Sequence, residues 1–337
     1  MPNTHHHPKH ACIRWLQSAA ALLLLVPGLT GLAAADQDAE RPTVVATVGM
    51  LADVAQQIAG DRVEVVGLIA PGIDPHLYRA TRADTIQLRQ ADLILTNGFR
   101  LEGKLDEPLG RARDSGTPVI AVAEAILRRA PSETASVTTE ESGERDPHVW
   151  MDPTLWRIGV DVIRDALTEL DPAGQDVFAT NADAYSQTLE SLIDYAESAI
   201  ATVPSEARVL VTAHDAFGYF GARFGFEVVG IQGLSTESEA GLRDIERLVS
   251  RLVGQRIPAV FVESTVSDRH VRALIAGARS QNHEVRIGGE LFSDALGDAG
   301  TYEGTYVGMI DHNLTTITRA LGGEAPADGF QGRLSDR

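Results

Sequence analysis

Short β-branched runs alternate with helical stripes along most of the chain. Thr43–Val48 (TVVATV) reads as a buried strand, followed by a predicted helix near 50–60 and a second strand at Val63–Ile69. Residues 84–90 carry a helical pattern, Ala91–Thr96 (ADLILT) a strand, and 101–113 another helix before Pro118–Val122 (PVIAV). Strands separated by helices at this spacing predict parallel βαβ units. Residues 130–146 (APSETASVTTEESGERD) break the rhythm: polar, acidic and without large apolar side chains, they read as a mobile surface loop. A helix is expected near 154–169, ending before Asp171-Pro172. The longest helical stretch runs from Ala173 to about Val203, with Val177, Ala184, Leu189, Leu192, Ile193, Ala196 and Ile200 on its apolar stripe and Pro204 ending it. Such a helix extends roughly 45 Å, the length of a domain, and can brace two lobes.

The alternation then resumes. Arg208–Thr212 (RVLVT), Glu227–Ile231 (EVVGI), Ala259–Glu263 (AVFVE) and Glu284–Ile287 (EVRI) read as strands. Helices are expected near 240–254, 267–280 and 303–321. The fold class is therefore α/β: two lobes, each a mostly parallel sheet flanked by helices, joined by one long helix. The expected boundaries are 36–172 for the first lobe, 173–203 for the helix and 204–337 for the second lobe. Ligands of such sheets gather beyond the carboxyl ends of the strands.

The first 35 residues follow a different rule. Lys9 and Arg14 precede the apolar run 18–26 (SAAALLLLV), and Ala33-Ala34-Ala35 leads into the acidic Asp36-Gln37-Asp38. That is the layout of a cleavable secretory signal peptide, 1–35. The run is too short to span a bilayer comfortably, and Pro27 and Gly28 interrupt it. The single cysteine, Cys12, lies before the run, so it cannot be a lipid-bearing cysteine placed after it, and it leaves with the leader. Thiolate ligands and disulfides are then excluded from the exported chain, and a soluble periplasmic location is expected. The composition, 29 basic against 47 acidic residues, disfavours nucleic acid and anionic membrane surfaces as partners. Loss of Lys9 and Arg14 makes the balance more acidic still.

Beyond the leader there are six histidines, and three have marked surroundings. His76 and His148 each close an Asp-Pro-His triplet, and each is followed two positions later by an aromatic residue, Tyr78 and Trp150. Proline fixes its own φ and biases the residue before it toward extended backbone, so a histidine after it is aimed by the main chain. His214 closely follows the strand RVLVT. His270, His283 and His312 lack such contexts and read as structural or surface residues. Asp294 lies beyond the strand EVRI, after what reads as a Gly288-Gly289 turn; in isolation it could equally cap a helix.

Taken together, the motifs GIDPHLY, DPHVWMD, VTAHDAFGYF, IPAVFVES and GGELFSDALGDAGTYEGTYVGM resemble the periplasmic and surface solute-binding proteins of ABC importers for manganese, zinc and iron (cluster A-I), its treponemal representatives especially. The resemblance covers nearly all of the chain after the leader. It implies two α/β lobes joined by a rigid helix, with one metal ion held between them by His76, His148, His214 and Asp294. It also implies a partner permease in the inner membrane, driven by a cytoplasmic ATPase, and a non-enzymatic, monomeric protein. Some relatives have glutamate where this chain has His214. Three imidazoles and a carboxylate suit a borderline divalent ion, Mn2+ or Zn2+, with iron third in order. Zinc-dedicated relatives often have a histidine-rich loop, whereas residues 130–146 contain no histidine. Asp74, Asp146, Asp152, Asp215 and Glu290 are the nearby groups available to orient the rings.

A metal-dependent periplasmic hydrolase is the alternative reading, with Glu263 cast as its base. Four protein ligands leave little room for the water such an enzyme activates. No H-E-x-x-H pair, nucleophile elbow or phosphate loop is present.

Overall fold

The computed structural model describes residues 41–131, 143 and 145–335; the leader and most of the expected acidic loop lie outside these residues. In the first lobe, β1 (Thr43–Ala46), α1 (Gly49–Ala59), β2 (Glu64–Gly67), α2 (Arg82–Gln90), β3 (Leu93–Thr96), α3 (Asp106–Asp114), β4 (Val119–Ala121) and α4 (Val122–Arg129) follow in order. The strands form one parallel sheet, β2-β1-β3-β4, with Val44 opposite Val65 and Leu93, and Ile94 opposite Val119. β1 and β3 are central and almost wholly buried, which is why they read as continuous apolar runs.

Two long helices follow. α5 (Pro153–Leu170) starts on a proline whose missing N–H costs nothing at that position, and Asp152 caps it by accepting Thr154 N–H at 2.8 Å. α6 (Gln175–Ala201) is the expected long helix. It packs on α1 and α5, so it is part of the core rather than a free-standing spacer.

The second lobe contains β5 (Val209–Thr212), α7 (Gly218–Phe224), β6 (Glu227–Gly230), α8 (Leu242–Gln255), β7 (Ala259–Glu263), α9 (Arg269–Ser280), β8 (Arg286–Leu291) and α10 (Tyr306–Ala320). Its strands form two parallel ladders, β5–β6 and β7–β8, with β5 beside β7. Here the strands are less regular than in the first lobe: the β7–β8 register shifts between Val260 and Phe261.

Three local features depart from the sequence reading. Gly288-Gly289 is not a turn but lies within β8, which continues to Leu291. A Cβ on Gly288 would meet the Phe261 ring at 2.7 Å, so glycine there lets the strand pass close to its neighbour. The short helices α4 and α7 have no counterpart in the sequence pattern. Val122 continues an apolar strand-like run, and the aromatic sequence of α7 has high strand propensity; packing decided both.

One hydrophobic cluster runs through both lobes, from Val44, Leu95 and Ile126 through Trp156, Leu189 and Leu192 to Phe217, Phe261, Tyr306 and Leu314. A smaller cluster lies under α8 and α9, built around Val211, Leu252, Val260, Val271 and Leu274. Among the described residues no helix is long and apolar enough to cross a membrane.

Candidate metal centre

Each of the four residues singled out from the sequence lies beyond a strand or at the mouth of a helix. His76 follows β2, His148 precedes α5, His214 follows β5, and Asp294 follows β8. All four are buried, and one ligand atom from each lies within 4.8 Å of the others. Asp294 is the hub: its Oδ2 is 3.1 Å from His214 Nε2 and 3.7 Å from His76 Nε2, and its Oδ1 is 3.3 Å from His148 Nε2.

None of these five polar atoms makes a well-aligned hydrogen bond; what they face at ion-pair distance is one another. Buried donors and acceptors are almost always paired, because desolvating one without compensation costs about 1–3 kcal/mol. Five of them converging on one point is the signature expected where a cation satisfies them together. The donor set is able to hold a borderline divalent metal.

Backbone and side-chain bonds aim each group. In both Asp-Pro-His triplets the aspartate accepts the histidine N–H at 2.8 Å, Asp74 for His76 and Asp146 for His148. Asp146 Oδ1 also accepts from His148 Nδ1 at 2.7 Å. Glu263, at the end of β7, does both jobs for His214: Oε1 accepts the backbone N–H at 2.9 Å and Oε2 contacts Nδ1 at 2.5 Å. Holding Nδ1 this way turns Nε2 toward the centre and makes it a better donor. Asn97 Nδ2 donates to Pro147 O at 2.9 Å, bracing the second triplet from β3. Ahead of Asp294, Asn313 on α10 clamps Phe292 by both its N–H and its C=O, at 2.9 and 2.7 Å.

The electrostatics divide the three rings. Burial works against a charge on His148, but Asp146 and Asp294 raise its pKa to about 9. Burial also opposes charge on His214, where Glu263 and Asp294 win and the pKa rises well above its ordinary value. For His76, burial dominates and the pKa falls to about 4. Burial would raise Asp294, yet the facing His214 and His148 hold its carboxyl well below the usual range. The field that favours a proton on two of these rings equally favours a metal cation in its place.

The model of the ZnuA family, zinc-uptake complex component A periplasmic, matches residues 44–320. The chain belongs to this family. Manganese-binding lipoprotein MntA of Bacillus subtilis is 44% identical over 308 residues, covering 90% of this chain and 98% of the relative. Zinc-binding protein TroA of Treponema pallidum is 47% identical over 281 residues, covering 83% and 89%. The solved structure of periplasmic zinc binding protein TroA from Treponema pallidum matches with a TM-score of 0.80 at 46% identity, covering 84% of this chain and 99% of that one. These ZnuA-family relatives are named as binding proteins, not enzymes.

Of the acidic neighbours considered from sequence, Asp146 touches a ring and Asp74 a histidine backbone, whereas Asp152 caps α5. Asp215 is partly buried nearby, its N–H bonded to Gly233 O at 3.2 Å, and Glu290 is exposed. Glu263, weighed as a hydrolase base, is instead the partner of His214. The other three histidines stay outside the centre: His283 and His312 bond the carbonyls of Ile257 and Glu290, and His270 lies 3.2 Å from Glu239.

Proposed function

We propose that this protein captures one divalent transition-metal ion outside the cytoplasm and delivers it to an ABC importer. Its ligands are His76 and His148 from the lobe ending near residue 172, and His214 and Asp294 from the lobe starting near residue 204. The observation that carries this reading is the convergence of five buried polar atoms without well-aligned hydrogen bonds, one from each imidazole and two from Asp294. Asp146 and Glu263 keep the two innermost rings oriented, and the carboxylates balance the charge of the ion.

The cargo is manganese or zinc. Relatives of nearly equal similarity are named for zinc and for manganese, at 47% and 44% identity. At the same ligands zinc binds more tightly than manganese, so availability outside the cell, not affinity alone, decides what is carried. An extracytoplasmic location agrees with relatives named as lipoproteins or periplasmic proteins, and the leader at 1–35 supplies the export route. The loaded chain, a monomer, docks on a permease driven by a cytoplasmic ATPase, and the permease loosens the site. A core shared by both lobes and a packed α6 favour small shifts during release over wide hinge opening.

The hydrolase alternative loses its base, because both Glu263 oxygens are committed to His214. Elemental analysis of the purified protein tests the proposal: close to one zinc or manganese per chain is expected, and His214→Ala should lose most of it. Absence of bound metal, together with no thermal shift on adding either ion, would refute it.

A further inference from the structure

The loop after β6 belongs to the second lobe but bonds to the first. Thr236 Oγ1 donates to Asp74 Oδ2 at 2.5 Å, and Lys104 Nζ lies 2.9 Å from Glu237 Oε1. The loop is braced on its own side by Gln232 Nε2, which donates to Ser238 O at 3.1 Å, and by Asp215 N–H on Gly233 O at 3.2 Å. Asp74 is thus shared: Oδ1 holds the His76 N–H, and Oδ2 holds the opposite lobe.

His76 is also the site imidazole nearest to solvent. It lines a cavity of about 580 Å³ together with Arg100, Lys104, Leu234, Ser235 and Glu237. Among the described residues no carboxylate bonds its Nδ1, whereas Asp146 and Glu263 hold those of the other two rings. Any path by which an ion leaves while the deeper rings stay fixed therefore begins with movement of His76. That movement is opposed by the Asp74 turn, and the turn is fastened to the second lobe through Thr236. Thr236 is buried, so water competes poorly for its hydroxyl.

We propose that Thr236 is a positioning residue for the ion: its bond to Asp74 closes the second-lobe loop over His76 and sets how fast the ion leaves. The inference rests on the capture function proposed above. Thr236→Val removes the hydroxyl at nearly constant shape, and Thr236→Ser keeps it. Purified protein loaded with manganese, and separately with zinc, would be mixed with excess chelator and the release rate followed. A hydrogen bond to a carboxylate corresponds to a release roughly tenfold or more faster for Thr236→Val, with Thr236→Ser within about twofold of the unaltered chain. In the metal-free protein, amide hydrogen exchange should quicken in 73–78 and 232–240 in Thr236→Val alone. Unchanged release, or a lower melting temperature without faster release, would overturn the proposal. Failure of the unaltered chain to take up either ion would refute capture and ion retention together. Unchanged exchange in a chain that does load would refute the tether alone.

Discussion

The two Asp-Pro-His triplets begin alike and end differently. In each, the aspartate turns back to accept the histidine N–H at 2.8 Å, a bond made within the tripeptide itself. The second oxygen or second contact is where they diverge. Asp146 grips the ring of its own histidine, while Asp74 reaches across to Thr236 in the other lobe. His148 is completely buried against Trp150, with ring centroids 5.2 Å apart, and its pKa is raised to about 9. His76 lines the cavity, and burial takes its pKa down to about 4. On the proposed function, a duplicated local motif then produces one anchored ligand, His148, and one more movable ligand, His76, according to what surrounds it.

The sharpest way to break this comparison is to delete each ring in turn. A binding free energy of about 10–16 kcal/mol shared among four ligands implies a loss on the order of a hundredfold or more per ligand. Isothermal titration should find His148→Ala more damaging than His76→Ala. Equal losses would mean that the two triplets contribute alike and that the anchored and movable roles are wrong.

The next effect is that of the carboxylate behind the ring. Asp146→Asn should weaken metal binding by roughly 10- to 100-fold, as for other groups that orient a ligand. It should also change the pH dependence of the metal-free protein. Burial opposes charge on His148, but Asp146 and Asp294 raise its pKa from 6.5 to about 9. The stabilisation is then complete below about pH 6.5 and is lost as pH rises through about 9. Melting curves of the metal-free chain should shift downward over that window, and Asp146→Asn should flatten the decline. A decline of the same size in the variant would assign the effect to another group.

The smallest effect belongs to the half-exposed pair Lys104–Glu237 at the mouth. Ion pairs of this kind contribute about 0.2–1 kcal/mol and are screened by salt. Lys104→Met should therefore speed metal release only about twofold, and less at high ionic strength. A larger, salt-independent change would place the tether at this pair instead of at Thr236.

Much of the architecture was legible because its signals are local. The buried runs of β1, β3, β5 and β7 and the later stripe of α6, Leu189 to Ile200, announce themselves within a few residues. The start of that stripe is misread: Val177 and Ala184 face solvent, and Phe178 and Ala182 are the buried residues, because packing on α1 and α5 sets which face turns inward. His76, His148 and His214 stand out by their positions after prolines or a strand, whereas Asp294 is singled out only by the family resemblance, and the four converge in space. What could not be read depends on distant neighbours. Glu263 meets His214 only because β7 lies beside β5, and Thr236 meets Asp74 only across the lobes. Gly288-Gly289 reads as a turn because the usual reason for paired glycines is local; here Gly288 makes room for the Phe261 ring on the adjacent strand and Gly289 for Thr316 of α10.

The hydrophobic cluster that passes without a break from β1 to α10 restricts how such a protein can diversify. A lobe cannot be exchanged for a relative's lobe without refitting dozens of interlocked side chains on both sides of the seam. Descent by recombination of halves is thereby discouraged. New ion preferences are more readily reached by single substitutions around a frame inherited whole.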